Sequence, residues 1–446
     1  MERLAGPILL ASGIRRVRNF RLNLYPLRSE SHFLYLVGRH FDGSFLLRED
    51  DRWALYTAPP DPADTLWTGP TPGLDELVSE LGIEVLPLSE LSPPADCACL
   101  PPQDTEAADW LSQLLDRDID AGMGAEVVDA DAELADAMIE LRLKHDDGAM
   151  AQLRQAATVT VAAHRAGMSA TRGARREAHV TAAMESVITA SGMTTAYHSI
   201  VSVRGDILHN ESHEGQLHDG ELILADVGAE SLEGFAGDVT RVWPVNGRFS
   251  TTQRELYDVV LRSQLEAIEQ IRPGQRYLEV HRTAARTMLQ GLVELGICRG
   301  DPAELYERGV AGVFFPHGVG HLLGLDVHDM EDLGDRAGYA PGRERLTAPG
   351  DAQLRLDRDL EAGMAVTVEP GFYQVAAILE DETSMAPFAD AIDRAQLAKF
   401  SDVRGIRIED DVLVTDQQPE VLTAALGKTA DEIEDLMAPA SRGSAG

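Results

Sequence analysis

The sequence predicts an α/β protein of two domains, a mixed α/β domain followed by an α+β domain that carries the chemistry. Three observations predict it. A chain of 446 residues, 44% of them apolar, exceeds what one ordinary core accommodates. Short apolar runs broken by Gly and Pro alternate with segments of helical spacing. Between Glu221 and Val245, two β-rich apolar runs joined by a Gly-containing turn each carry one aspartate, Asp226 and Asp238. An aspartate buried in a strand is costly unless a cation pairs with it, so two that face each other across a hairpin call for a metal.

In chain order, Pro7 to Ile14 reads as a strand or buried turn, and Arg15, Arg16 and Arg18 follow it where an export signal would place small residues. The runs HFLYLVG, GSFLLRED and RWALYT between His32 and Thr57 read as strands and turns. Asp104 is placed to cap a helix with Ala107, Trp110, Leu111, Leu114 and Leu115 at helical spacing. An Ala-rich helical stretch from Glu133 to Met168 is broken at Lys144–Gly148, which sets the expected domains at 1–145 and 146–446. In the second domain, helices are expected at Ala178–Ser191, at Gln253–Ile271 with Thr252-x-x-Glu255 as a capping box, and at Tyr277–Leu295. Strands are expected at Ser199–Val203, Leu222–Val227, Val239–Val245, Met364–Val368 and Gly405–Val414, with a disordered SRGSAG tail.

The formal net charge of −35 argues against a nucleic-acid surface, which needs clustered Lys and Arg, and reads as a solubility feature. Cys97, Cys99 and Cys298 form neither a CxxC pair nor an even disulfide set, so a reducing cytoplasm is expected. No apolar run approaches the roughly 18 residues that would span a bilayer, and a soluble protein without membrane attachment is expected.

Four motifs in the second domain carry candidate chemistry. Besides Asp226 and Asp238, they are FFPHGVGHLLGLDVHD with His317, His321 and His328, MAVTVEPGFY with Glu369, and RGIRIEDDVLV with Arg407 and Glu409. Strand alternation in the last sets Arg407 and Glu409 on one face and Ile406 and Ile408 on the other. Each motif alone is weak, because a single histidine is more often a core residue and a Glu before Pro-Gly a turn acid. Together, two Asp, one His and two Glu make a mostly oxygen donor set that suits a pair of divalent ions such as manganese.

In order and content, DVG…GDVTR, HGVGHLLGLDVHD, TVEPGFY and GIRIEDD resemble the prolidase, aminopeptidase P and creatinase family, the pita-bread metallopeptidases. The resemblance covers the second domain. The first resembles the family's creatinase-like N-terminal domain only in length and strand-helix character. The resemblance implies Asp226, Asp238, His321, Glu369 and Glu409 as ligands of two divalent ions, manganese first and cobalt or zinc permitted. It places His209, His317, His328 and Arg407 around the substrate. Twelve positions separate Asp226 from Asp238, one more than the family pattern, and Ser231 stands where an aromatic is common. The extra residue is assigned to the turn Ser231–Gly234, since a register slip would turn one acid to the opposite face.

The implied reaction is hydrolysis of a bond to proline nitrogen, by a water that two metals share and acidify. Glu369 is expected to shuttle the proton, His328 to stabilise the oxyanion, His209 and His317 to line the proline side, and Arg407 to orient Glu409 or the substrate. The main expectation is an Xaa-Pro dipeptidase. It rests on the connection of about forty residues between His328 and Glu369, where Leu354-Arg355 and Arg358 resemble a prolidase pattern. There Arg355 would grip the dipeptide's carboxylate with two hydrogen bonds. Without the resemblance, Arg355 is one solvated charge among Asp357, Arg358 and Asp359. The alternative is an Xaa-Pro aminopeptidase acting on longer peptides, and a third reading is a non-catalytic binding module, disfavoured because all five ligand positions are filled. The expected partners are a proline-containing dipeptide or short peptide and a second copy of the chain in a homodimer, with no nucleic acid and no membrane.

Overall fold

Strands Ile8–Ala11, Phe45–Glu49, Arg52–Thr57 and Glu84–Pro87 hydrogen-bond in that order into one sheet. The computed structural model describes residues 6–122, 129–348 and 350–438; the SRGSAG tail lies outside them. The first three strands are antiparallel and the last pair is parallel, with helix Leu74–Leu81 in the crossover. Alternation sorts the side chains to two faces. Leu9, Phe45 and Leu47 pack with Leu111 and Leu115, while Ile8, Leu10, Leu46 and Leu55 pack with Phe33 and Met138. Helix Thr105–Leu115 starts where expected, the Asp104 carboxylate accepting from the Ala107 N–H at 2.7 Å.

One expectation fails here. The run HFLYLVG is a helix, Ser31–Val37, closed by Gly38 in the left-handed conformation at φ 70°. Seven largely apolar residues have no period-2 pattern to favour a strand, and His32, Phe33 and Leu34 bury in succession rather than alternately.

The chain divides into two compact units, Met1–Leu143 with Met330–Ala337, and Lys144–Asp329 with Gly338–Gly446. Within the first, the returning segment is tied by His32 Nε2 to Asp332 Oδ2 at 2.9 Å and by Arg336 Nη1 to Asp136 Oδ1 at 2.7 Å.

The second unit repeats one theme, a pair of packed helices beside an antiparallel sheet. Helices Asp147–Thr171 and Glu177–Ala190 accompany a sheet in which Leu222–Asp226 lies between Ile200–Ser202 and Thr240–Pro244. Trp243 ties sheet to helix through Nε1 donating to Thr171 Oγ1 at 2.9 Å. Helices Thr251–Ile268 and Tyr277–Glu294 accompany a sheet in which Asp410–Leu413 lies between Ala365–Val368 and Glu420–Val421.

The expected strand Gly405–Val414 is two strands. Gly405–Arg407 pairs with Gly371–Tyr373, and Asp410–Leu413 pairs with Ala365–Val368. Pro370 has no N–H, so the ladder breaks beside it, and the Glu409 N–H crosses to the Thr240 carbonyl at 3.1 Å. That bond links the two sheets at the site. The helix expected at Gln253–Ile271 spans Thr251–Ile268, and its box is Ser250 with Gln253 rather than Thr252 with Glu255. Thr252 already lies inside the helix, whose first turn is capped by Ser250 Oγ accepting from the Gln253 N–H at 3.1 Å. No helix among the described residues is long and apolar enough to cross a membrane.

Candidate active site

Strand Leu222–Asp226 is apolar and fully buried until its last residue, so its end delivers the Asp226 carboxylate to the interior. Asp238 does not sit in the facing strand, which begins at Thr240; it lies in the loop that enters it. That loop is closed by Gly234 N donating to Ser231 O and Ser231 N to Phe235 O. Both acids keep the same side. The Tyr197 hydroxyl lies 2.5 Å from Asp226 Oδ1 and 2.5 Å from Asp238 Oδ1.

The remaining motif residues arrive from the second sheet and from the loop before it. Thr367 holds that loop to its strand, accepting from the His321 N–H through Oγ1 at 3.1 Å while its own N–H donates to His321 O at 3.0 Å. His321 Nδ1 lies 2.9 Å from Leu322 O and so carries the proton, leaving the Nε2 lone pair toward Asp238 Oδ2 at 3.4 Å and Glu369 Oε1 at 3.5 Å. Glu369 Oε2 is 3.8 Å from His317 Nδ1. Arg407 reaches Asp226 Oδ2 at 2.5 Å and the Tyr373 hydroxyl at 2.9 Å. Its Nε donates to Thr240 Oγ1 at 2.9 Å, and Thr240 in turn donates to Glu409 Oε2 at 2.6 Å. The guanidinium therefore orients one acid directly and another through a hydroxyl.

All the side chains singled out in the sequence border one cavity of about 140 Å³: His209, Asp226, Asp238, His317, His321, His328, Arg355, Glu369, Arg407 and Glu409. Arg355 is not solvated away from the site; its Nη1 lies 2.7 Å from His328 Nε2. Leu208, Gly318 and Gly320 complete the lining. Sequence reasoning missed Tyr197, Thr240 and Tyr373. The last two stand inside the quoted motifs, but Tyr197 has no local pattern that would single it out.

Three buried carboxylates, Asp226, Asp238 and Glu409, and the half-buried Glu369 meet here. Burial pushes Asp238 up to about 7, aided by the charge on Asp226, and burial first also lifts Glu369 to about 7. Glu409 rises well above the usual carboxylate range, through burial and then Asp238, Glu369 and Asp226. Burial, then Arg407, lowers both His209 and His317, the latter to about 3. Acids raised this far, by burial first and by one another's charge second, are a site built for added positive charge. The donors fit a divalent ion: Asp238, His321 and Glu409 each offer an atom, all within 4.8 Å of one another, and Asp226 and Glu369 adjoin them.

Comparison with known proteins agrees with that chemistry. Residues 151–416 match the model of metallopeptidase family M24, and residues 1–95 match the aminopeptidase P, N-terminal domain. A probable Xaa-Pro aminopeptidase of Colletotrichum graminicola is 30% identical over 453 residues, covering 90% of this chain and 82% of that protein. One from Aspergillus clavatus is 32% identical over 429 residues, covering 93% and 89%. Among solved structures, Escherichia coli aminopeptidase P with the inhibitor Pro-Leu has a TM-score of 0.78 at 30% identity, covering 98% of this chain and 95% of that one. Pseudomonas aeruginosa aminopeptidase PepP has a TM-score of 0.76 at 30% identity, covering 97% and 93%. With its ten candidate residues gathered in one cavity and its likeness sustained over nearly the whole length, the chain belongs to metallopeptidase family M24, in the prolidase and aminopeptidase P group of pita-bread enzymes.

Proposed function

We propose that the protein is a metal-dependent Xaa-Pro aminopeptidase, removing the residue that precedes proline at the amino end of a peptide. The observation that carries this reading is the convergence of Asp226, Asp238, His321, Glu369 and Glu409 in one cavity with His209, His317 and His328. The stated activity of the relatives supports the aminopeptidase form over the dipeptidase expected from the sequence.

The five carboxylate and imidazole side chains would hold a pair of divalent ions, which when bound would supply Lewis acidity and lower the pKa of water to near neutral. The rest is done by the chain's own residues. Glu369 holds the proton given up by the attacking water and hands it to the departing proline nitrogen. His328, its ring 4.3 Å from that of His321 and braced by Arg355, donates to the carbonyl oxygen as negative charge develops there. His209 and His317 bound the pocket for the proline ring, and Arg407 keeps Asp226 and Glu409 aligned. Manganese is the favoured ion, with cobalt and zinc permitted by the donor types. A homodimer in the cytoplasm completes the reading.

Metal-stripped enzyme, restored ion by ion and assayed on Xaa-Pro and Xaa-Pro-Yaa peptides, tests it. Activity should return with manganese and be higher on Xaa-Pro-Yaa. No hydrolysis of either peptide with manganese, cobalt or zinc would refute the peptidase reading. Faster cleavage of Xaa-Pro would favour the second reading, the dipeptidase, which the placement of Arg355 in the cavity supports.

A further inference from the structure

We propose that Asp351, clamped between Tyr306 and Arg282, is a positioning residue that sets the Arg355 guanidinium in the cavity and with it the preference for a free carboxylate or a further residue after proline. This rests on the peptidase reading above. Arg355 stands in irregular backbone, between the turn at Asp351–Gln353 and the isolated bridge from Asp357 to Tyr339. A long cationic side chain on such backbone loses much rotamer entropy when it is ordered, and it holds one geometry only if the chain beneath it is pinned.

Asp351 pins it. The residue is 3% exposed, its carbonyl accepts from the Leu354 N–H at 3.0 Å, and its carboxylate takes the Tyr306 hydroxyl and faces Arg282 Nη2 at 3.6 Å. His281 Nε2 reaches the adjoining Gly350 carbonyl at 3.0 Å. Two glycines let the adjacent residues press against the site loop. A Cβ on Gly318 would lie 3.1 Å from the Leu354 Cα, and one on Gly338 would lie 2.2 Å from the Arg355 carbonyl oxygen.

None of Asp351, Tyr306 and Arg282 borders the cavity, so the group acts through the segment it holds. Packing alone would be served by a neutral side chain of the same shape. A buried carboxylate with a phenol and a guanidinium on it is costly to desolvate and selects one arrangement of the turn.

The test is a double-mutant cycle of Asp351→Asn with Arg355→Ala, with Tyr306→Phe as a second, milder break of the clamp. Each variant is assayed on Xaa-Pro and Xaa-Pro-Yaa, and its metal content, thermal midpoint and amide exchange are measured. Asp351→Asn should change the ratio of kcat/KM between the two peptides about fivefold or more, through KM, and less than about twofold once Arg355 is Ala. Amide exchange should quicken within 351–358. An equal effect in both backgrounds, or no change in the ratio from either clamp variant, overturns the proposal. If the unsubstituted enzyme cleaves neither peptide, only the peptidase reading falls, and exchange still decides the clamp: unchanged protection of 351–358 in Asp351→Asn overturns it.

Discussion

At Asp226 and Asp238 two buried carboxylates share one phenol, and single changes at the site are expected to have large effects. Removing one acid takes a donor from the cation that the cluster is arranged to hold. Asp238→Asn and Glu409→Gln keep shape and hydrogen bonding but weaken metal binding. Each is expected to lower kcat by on the order of a thousandfold or more, with the fold retained, because metal-supplied stabilisation amounts to several kcal/mol. Activity measured beside bound-metal content checks this; full turnover in a metal-free preparation would contradict it. Arg355 acts on binding instead. A charge-assisted bidentate grip contributes about 2–3 kcal/mol, so Arg355→Ala should raise KM for Xaa-Pro dipeptides about 30- to 150-fold relative to Xaa-Pro-Yaa. Unchanged dipeptide kinetics would remove Arg355 from carboxylate recognition.

Elements differ in what they tolerate. The turn Ser231–Gly234 lies between the acids, with Leu232 72% exposed at its tip. The bridge Glu230↔Ala236 closes it before either acid is reached. Deleting Leu232 should therefore leave metal content intact and kcat/KM within about threefold, since hairpin loops absorb single-residue changes. Loss of bound metal in that deletion would show that the loop sets the acids after all. At helix Thr251–Ile268, Ser250→Ala should cost about 1 kcal/mol and Glu255→Ala less than about 0.5, read from urea midpoints, because only Ser250 caps the N-terminus. The reverse order would restore the Thr252–Glu255 box.

For the molecule as a whole, acid stability depends on histidines buried in the neutral form. His164, on helix Asp147–Thr171, is fully buried, with Nε2 3.1 Å from the Val227 carbonyl. Burial first, then Arg241, lowers it from 6.5 to about 4. The unfolded chain thus takes up a proton at this residue before the folded one does. Stability is complete above pH 6.5 and is lost as pH falls toward 4, by up to about 3 kcal/mol from this residue. His164→Asn should flatten the pH dependence of the urea midpoint across that window in chelator-treated protein; equal slopes for the two proteins would contradict the assignment.

Much of this was legible in the sequence, and the reason is local. Strand ends, caps and glycine-loosened loops are written in neighbouring residues, so the motifs holding Asp226, His321, Glu369 and Glu409 and the cap at Asp104 could be read directly. The choices that required the tertiary structure were those settled by residues distant in the chain. Pro370, between the two partner strands, splits Gly405–Leu413, and the packing of Phe33 against the first sheet accompanies the helix Ser31–Val37. Tyr197 serves acids 29 and 41 positions away, and Arg407 reaches Glu409 through Thr240 from the other sheet. No short window of sequence contains both members of such pairs, because only folding brings them within hydrogen-bond reach.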